Sequence, residues 1–189
     1  MSDIIKWYNT HAEEYFNKTK DFDISQIHEK FEALLPEGAC ILDAGCGPGR
    51  DVKYFHNKGY AVDAFDASEE LIKIGVKHSG CPISLMSFAD FNVADKYDGI
   101  WACTSLVHMQ EKELIETIHR LFQGLKKGGI FYTCLKRSEG VSVQGSVYGG
   151  RHFLCVSEDY FRQMFTGFDC EILEVWTYGV FWNILVRKN

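Results

Sequence analysis

Several features that mark special classes of protein are missing from this chain of 189 residues. Its seven cysteines are scattered and form no Cys-x-x-Cys pair, which argues against zinc and redox motifs, so no metal site is expected. No apolar run approaches the ~18 residues needed to span a bilayer. The opening residues, Met-Ser-Asp-Ile-Ile-Lys, lack the apolar core of a signal peptide. These absences predict a cytoplasmic protein with reduced cysteines and no membrane partner.

The chain also has fewer basic than acidic residues. The chain has 20 Lys and Arg against 26 Asp and Glu, a formal net charge of −6, and no run rich in Lys or Arg. Because nucleic-acid binding depends on neutralising phosphates, no nucleic-acid partner is expected. What is present is typical of one globular domain, since 46% of the residues are apolar and the length is ordinary. Nothing in the sequence indicates an oligomeric state.

The order of the predicted elements indicates the fold class. Apolar periodicity and turn residues predict helices over 3–18, 23–35, 50–58, 68–78, 111–125 and 157–166, and strands over 39–44, 60–65, 83–88, 97–103, 130–135, 169–177 and 180–187. Residues 136–152 show no periodicity and predict a long loop that contains Gly140, Gly145, Gly149 and Gly150. Because strands and helices alternate, we expect an α/β fold with a doubly wound, Rossmann-like, seven-stranded sheet. It would be mostly parallel, with one antiparallel strand in a C-terminal hairpin.

A glycine-rich loop follows the first predicted strand, in the segment Asp43-Ala44-Gly45-Cys46-Gly47-Pro48-Gly49-Arg50. Glycines permit a tight turn and close ligand approach, and ligands bind beyond the carboxyl ends of such strands. The nicotinamide fingerprint G-x-G-x-x-G would need glycine where Arg50 stands, and a P-loop would need a lysine that is missing. S-adenosylmethionine (SAM) carries no phosphate, so a loop that binds it needs neither of these motifs. It has a positively charged end, for which the carboxylate of Asp43 is suited.

Asp66 closes the second predicted strand. A carboxylate at this place can accept hydrogen bonds from both hydroxyls of a ribose, as the acid of nicotinamide enzymes does. Asp66 alone therefore does not separate the two cofactors, whereas the glycine spacing favours SAM.

Four segments together resemble the class I SAM-dependent methyltransferases. Leu42 to Gly49 resembles the family's first motif, Asp66 its ribose-binding acid, Tyr97 to Ala102 its fourth strand, and Leu125 to Ile130 the turn into its fifth. The size and the Gly49-Arg50 step are also similar to small-molecule methyltransferases of the tellurite-resistance type. The resemblance covers residues 30–189 and implies SAM as cofactor and methyl transfer as activity.

The resemblance also implies a set of cofactor-binding residues, namely Tyr15, Asp43, Gly45, Cys46, Gly47, Gly49, Arg50, Asp66, Ala67, Ser68, Phe88 and Cys103. Many relatives have an acid where Phe88 stands, so adenine would be held by backbone groups and packing, with Asp90 displaced. In the family an N-terminal segment often covers the cofactor. We therefore expect one methyltransferase domain over 1–189, with a helical lid over 1–35 and a Rossmann-like core over 36–189.

The acceptor side is less well marked. His108 follows the fourth strand and is a candidate base, although it could equally touch adenine or nothing. Arg151 and His152 could bind an anionic acceptor. The chain has little room for a recognition domain and lacks an Asn/Asp-Pro-Pro-Tyr motif, so a small-molecule methyl acceptor is expected. The alternatives are a SAM-binding regulatory or inactive module and, disfavoured, an NAD-dependent oxidoreductase.

Overall fold

The computed structural model describes residues 2–138 and 143–189. Its helices are α1 Ser2–Thr10, α2 Ala12–Thr19, α3 Ser25–Glu32, α4 Arg50–Asn57, α5 Glu69–Ser79, α6 Glu111–Gly124 and α7 Glu158–Gln163. Its strands are β1 Cys40–Ala44, β2 Ala61–Asp66, β3 Ser84–Leu85, β4 Tyr97–Ala102, β5 Leu125–Arg137, β6 Val143–Tyr148, β7 Arg151–Val156, β8 Cys170–Tyr178 and β9 Phe181–Lys188. None of the described helices is long and apolar enough to cross a membrane.

The main sheet has the strand order β3-β2-β1-β4-β5-β9-β8. The first five strands run parallel, while β9 runs antiparallel to both β5 and β8. This arrangement confirms the predicted α/β class, the seven strands of the main sheet and the reversed strand of the C-terminal hairpin. β1 lies between β2 and β4, so the direction of winding changes beside it.

The long loop predicted over 136–152 is wrong for the part that the structure describes. There, β5 continues to Arg137, and β6 and β7 form an antiparallel hairpin that joins β5 through the pair Lys136 and Cys155. Gly149 and Gly150 have φ of 55° and 74°, the conformation that a tight two-residue hairpin turn requires. The glycines therefore mark a turn between strands. Residues 139–142, with Gly140, lie outside the described residues.

Three boundaries differ from the prediction. The first helix is divided at His11, whose φ of −112° is not helical and whose ring Nδ1 lies 2.8 Å from the carbonyl oxygen of Trp7. β3 is reduced to two residues. β5 begins at Leu125, and the expected turn around Gly128 is an irregular stretch inside the strand, where the pairing with β4 shifts register. Each difference depends on contacts that local periodicity does not record.

α3 packs into the core, unlike the two helices before it. Phe31 is fully buried against Phe55 and Trp101, and Ile27 belongs to the same cluster. A Cβ on Gly99 would lie 2.6 Å from the ring of Phe31, so the absence of a side chain in β4 allows α3 to approach the sheet. The helical segment before residue 36 therefore contains both a core helix and two outer helices.

Candidate active site

The carboxyl ends of β1, β2 and β4 meet at one edge of the sheet, where a cavity opens. Its lining includes eleven of the predicted cofactor residues, namely Tyr15, Asp43, Gly45, Cys46, Gly47, Arg50, Asp66, Ala67, Ser68, Phe88 and Cys103, together with the candidate base His108. Of the predicted set, Gly49 is the residue that the structure does not bring into the lining. This cavity is called the cofactor cavity below.

The three glycines of the loop have different surroundings. All three have positive φ, 73° at Gly45, 53° at Gly47 and 77° at Gly49, a conformation that other residues rarely adopt. A Cβ on Gly47 would face the cavity, with the ring of Tyr15 nearest at 3.9 Å. A Cβ on Gly49 would lie 3.0 Å from the carbonyl oxygen of Gly75 in α5. Gly49 thus serves close helix packing, and Gly47 leaves space for a ligand.

Asp66 is held in place by the backbone of the loops on either side of it. Its Oδ2 accepts a hydrogen bond from the amide of Gly47 at 2.8 Å, and its Oδ1 accepts one from the amide of Ser68 at 2.8 Å. Burial raises the pKa of Asp66, and these backbone hydrogen bonds oppose the rise. A carboxylate has about four acceptor sites in all, so Asp66 can still accept from a hydroxyl donor.

Asp43 is the buried carboxyl group behind the glycine loop, and it is 2% exposed. Among the described residues its Oδ2 has no hydrogen-bond partner. Burial raises the pKa of Asp43 well above its ordinary value, and repulsion by Asp51 adds to the rise. A buried carboxyl oxygen without a partner is costly, and a cationic ligand in the cavity would supply the missing charge and donor.

Arg50 and Asp51 begin α4 and form a paired, mostly buried unit. Arg50 donates to both carboxylate oxygens of Asp51, at 2.7 and 2.8 Å. Trp101 Nε1 also donates to Asp51, at 2.9 Å, and His28 Nε2 lies 3.2 Å from it. Burial would raise the pKa of Asp51, but Arg50 and His28 hold it far below the ordinary value. The ion pair fixes the Arg50 guanidinium at the cavity wall.

Phe88 and its neighbours form a wall of the cavity beside Gly45. The Phe88 ring packs edge-on against Phe65, and a Cβ on Gly45 would lie 2.9 Å from it. Ser87 also lines the cavity, whereas Asp90 turns back to accept a hydrogen bond of 2.6 Å from the Ser87 hydroxyl. The wall at this point is therefore an aromatic face without a carboxylate.

The two cysteines of the predicted set have thiols whose pKa is raised. Burial raises the pKa of Cys46 well above its ordinary value, with repulsion by Asp43 as the next cause. A hydrogen bond to Cys134, followed by burial, raises the pKa of Cys103. Since the thiolate is the reactive form, both side chains act here as small packing groups.

His108 lies at the end of a chain of hydrogen bonds that joins α1 to the β6–β7 hairpin. Arg151 donates to the Tyr8 hydroxyl at 3.1 Å, which lies 2.9 Å from His108 Nε2. His108 Nδ1 lies 2.6 Å from the carbonyl oxygen of His152. Because a carbonyl only accepts, Nδ1 carries the proton and Nε2 accepts from Tyr8. Burial lowers the pKa of His108 to about 4, so the ring is neutral at neutral pH.

A second cavity, of about 750 Å³, adjoins the first. The two share a wall made by Tyr8, Tyr15, Thr19, Arg50, Cys103, Thr104 and His108. Beyond this wall the second cavity lies among α2, β5, the β6–β7 hairpin and the turn between β8 and β9. It is called the acceptor cavity below.

Sequence reasoning left out some residues that the structure brings to the cofactor cavity. Asp51 is the most informative, because it lines the cavity and positions Arg50. Its place directly after the glycine loop, next to a basic residue, was a signal for it. Tyr8 also lines the cavity, and only the fold shows its contact with His108. In the part of the chain that the structure describes, no group of three or more acidic, His or Cys side chains could hold a metal.

Comparison with known proteins identifies the family. A methyltransferase domain model matches residues 15–175. A protein of Bacillus subtilis (strain 168), YqeM, whose name describes it as a methyltransferase, is 31% identical in an alignment of 148 positions that covers 73% of this chain. The matched part is 58% of the length of that relative. The chain belongs to the methyltransferase family.

Solved structures share the fold. The 1,6-didemethyltoxoflavin-N1-methyltransferase of Burkholderia thailandensis, solved with its substrate and S-adenosylhomocysteine (SAH), has a TM-score of 0.80 at 18% identity and covers 99% of this chain and 86% of its own. TehB from Haemophilus influenzae has a TM-score of 0.73 at 19% identity and covers 94% of this chain and 67% of its own. At these identities the similarity shows a common fold.

Family membership confirms the predicted class of protein, and with it SAM as the cofactor. The nicotinamide-dependent alternative has no support from these comparisons. The cofactor cavity fits this assignment, because an unpartnered buried carboxyl group, an aromatic wall and a glycine turn with open space meet in it.

Proposed function

We propose that the chain transfers the methyl group of SAM to a small molecule held in the acceptor cavity. The observation that carries the proposal is the wall shared by the two cavities, which would place donor and acceptor side by side. SAM supplies an electrophilic methyl group on a positively charged sulfur. The protein then has to align the nucleophile with that methyl group and to exclude water.

Each predicted cofactor contact has a side chain suited to it. Asp43 would face the cationic end of SAM, and Asp66 would accept from a ribose hydroxyl. The Phe88 face would pack on adenine. Tyr15, which lines both cavities, would approach the carboxylate. These assignments depend on the charge and shape of side chains that line the cofactor cavity.

Tyr8 and His108 would move a proton when the acceptor has one to lose. The acceptor proton would pass to the Tyr8 oxygen while the Tyr8 proton passes to His108 Nε2, along the hydrogen bond of 2.9 Å. With its lowered pKa of about 4, His108 is a weak base. This pair therefore suits acceptors that ionise easily or that arrive without the proton.

The lid is proposed to consist of α1 and α2, with α3 as part of the core. Asn9 of α1 accepts a hydrogen bond of 2.7 Å from the Ser68 hydroxyl, at the start of α5. Tyr8 contacts His108 on the other side of the cavity. The helix thus bridges two walls of the cofactor cavity.

Seven free cysteines also support a cytoplasmic location, where thiols stay reduced.

Calorimetric titration with SAM tests the cofactor assignment. We expect saturable binding that Asp66→Ala weakens about tenfold or more, because hydrogen bonds to a charged group are lost. Asp90→Ala is the matched control, since this carboxylate lies nearby but outside the cavity lining. Absence of SAM binding would contradict the proposal.

A screen of small molecules and macromolecules, read by SAH release, then tests the reaction. Turnover of small molecules is expected. SAM binding without any product would favour a binding module that does not turn over. Methylation of macromolecules alone would contradict a small-molecule acceptor.

A further inference from the structure

The charges around the acceptor cavity are unequal. Three cationic side chains line it, namely Arg50, Lys136 and Arg151, and Asp23 is the one carboxylate in the lining that the structure describes. Asp51 neutralises Arg50. Among the described residues, neither Lys136 nor Arg151 forms an ion pair with an acid. In the described part of the lining, two cations therefore have no ion-pair partner, against the single carboxylate of Asp23.

Arg151 is held among aromatic rings rather than carboxylates. Its guanidinium lies 4.5 Å from the ring centre of Trp7 and 5.2 Å from that of Phe153. Its Nε is buried and has no hydrogen-bond partner in the described part of the chain. Stacking leaves the in-plane N–H groups of a guanidinium available for a carboxylate or a similar anion.

Lys136 contributes the second charge from β5. Its ammonium lies 5.4 Å from the ring centre of Phe153 and 3.4 Å from the Ser146 hydroxyl, at the limit of hydrogen bonding. Lys136 and Arg151 thus both lie against Phe153, on neighbouring strands. Both charges therefore lie within 5.4 Å of the centre of one ring in the cavity lining.

The rest of the cavity is largely aromatic and aliphatic. Its lining includes the side chains of Phe22, Ile27, Tyr148, Phe153 and Phe181. The volume of about 750 Å³ lies within the ordinary range for small-molecule sites. Walls of this kind favour a planar, conjugated body, which buries apolar area and stacks on aromatic rings.

We infer that the methyl acceptor is a small aromatic or conjugated acid, bound as its anion by Arg151 and Lys136. This inference rests on the proposed function, because it assigns the acceptor cavity to the substrate. It agrees with the weak base at His108 when the anionic group is itself the nucleophile, because that group has already lost its proton. A neutral ligand with the same ring system would leave both cations without an anionic partner in a cavity that is partly shielded from water.

Paired ligands test the charge directly. We would titrate 2-naphthoate and 2-naphthamide, which share the ring system and differ in charge, into the protein saturated with SAH. The acid is expected to bind about tenfold or more tightly than the amide. Lys136→Met should remove most of this preference, and Arg151→Gln should remove it as well.

Arg137→Met is the matched control. Arg137 carries the same charge one position further along β5, but it is exposed and lies outside the cavity, over the ring of Trp182. Its variant should keep the full preference for the acid. Because Arg151 also contacts α1 through Tyr8, Lys136→Met keeps the test valid if Arg151→Gln disturbs the fold.

Equal binding of acid and amide, binding of neither, or an unchanged preference in Lys136→Met would each overturn the inference. The SAH titration that precedes the test reports separately on the cofactor cavity. Loss of SAH binding would count against the proposed function, whereas SAH binding without an acid preference would count against the acidic acceptor alone.

Discussion

Gly45 and Gly38 share a left-handed backbone but differ in their surroundings. Their φ values are 73° and 66°. A Cβ on Gly45 would lie 2.6 Å from Ser105 Cβ and 2.9 Å from the Phe88 ring, while one on Gly38 would meet nothing within 4 Å. The pair therefore separates the cost of backbone strain from the cost of overpacking.

Alanine at either glycine should destabilise the protein, and more at Gly45. Backbone strain costs about 1–2 kcal/mol in both variants. Gly45→Ala should lose about 1–3 kcal/mol more through overpacking, and it should weaken SAM binding, since Ser105 and Phe88 line the cofactor cavity. Urea unfolding and SAM titration measure both effects. Equal losses in the two variants would contradict the contact at Phe88.

Asp43 links SAM binding to pH. Burial and repulsion from Asp51 raise its pKa above the ordinary carboxyl value of 3.8. Above pH 3.8, a fraction of the protein molecules therefore still has Asp43 protonated. A cationic ligand favours the ionised form. Binding is therefore expected to release a proton, and the SAM affinity should rise with pH until Asp43 is ionised in the free protein.

Calorimetry in buffers of different ionisation enthalpy measures this proton release. Asp43→Asn should abolish it and weaken SAM binding, because the variant cannot ionise. Asp90→Asn is the control, since this exposed carboxylate lies outside the cavity lining. Proton release that persists in Asp43→Asn would assign the titration to another group.

α1 is a short helix that isolated sequence would barely stabilise. Its position depends on two polar contacts, Tyr8 with His108 and Arg151, and Asn9 with Ser68. Both contacts join residues far apart in the chain. The helix is therefore expected to open more easily than the sheet.

Tyr8→Phe should loosen α1 while the sheet remains intact. The variant removes the hydroxyl that joins Arg151 to His108, so amide hydrogen exchange over residues 2–19 should speed up and SAM should bind more weakly. Tyr60→Phe is a matched control, because Tyr60 lies outside both cavities. Unchanged exchange in α1 would show that Asn9 and apolar packing suffice to hold the lid.

The β6–β7 hairpin was the element that local patterns misrepresented. Gly149 and Gly150 were interpreted as part of a loop, although paired glycines are also typical of tight hairpins. The backbone of β7 joins the rest of the site, since the Leu154 amide donates to the Val107 carbonyl at 2.8 Å. Through this pairing Arg151 and Phe153 reach the acceptor cavity.

Burial of His108 between the two cavities affects the stability of the entire fold. The pKa of His108 is about 4 in the folded protein, against an ordinary value of 6.5. As the pH falls below 6.5, the unfolded chain takes up the proton first, so folding stability contributed by the neutral ring is lost between pH 6.5 and 4. Above that window the contribution is complete.

His108→Asn should flatten this dependence, because asparagine does not titrate and its amide can still donate to the His152 carbonyl. The free energy of unfolding, measured in urea between pH 4 and 6.5, should fall less in the variant than in the wild-type protein. His56→Asn, at an exposed position on α4, is the control. Parallel curves for wild type and His108→Asn would show that another group causes the acid sensitivity.

Sequence patterns predicted the seven strands of the main sheet, the family and eleven of the residues that line the cofactor cavity. Strands and helices alternate along the chain. The glycines after β1 and the acids Asp43 and Asp66 are close in sequence to the strand ends that position them. Parallel strand ends meet at one edge of the sheet, so local motifs already imply which residues converge there.

The acceptor cavity depended on tertiary structure. Tyr8, Lys136 and Arg151 belong to α1, β5 and β7, and no motif connects elements so distant in the chain. Their contacts follow from how α1 and the β6–β7 hairpin pack on the sheet, and packing depends on the complete set of side chains. The charge of the acceptor cavity is therefore a property of the folded chain, because it arises from cations that only folding brings together and that have no ion-pair partner among the described residues.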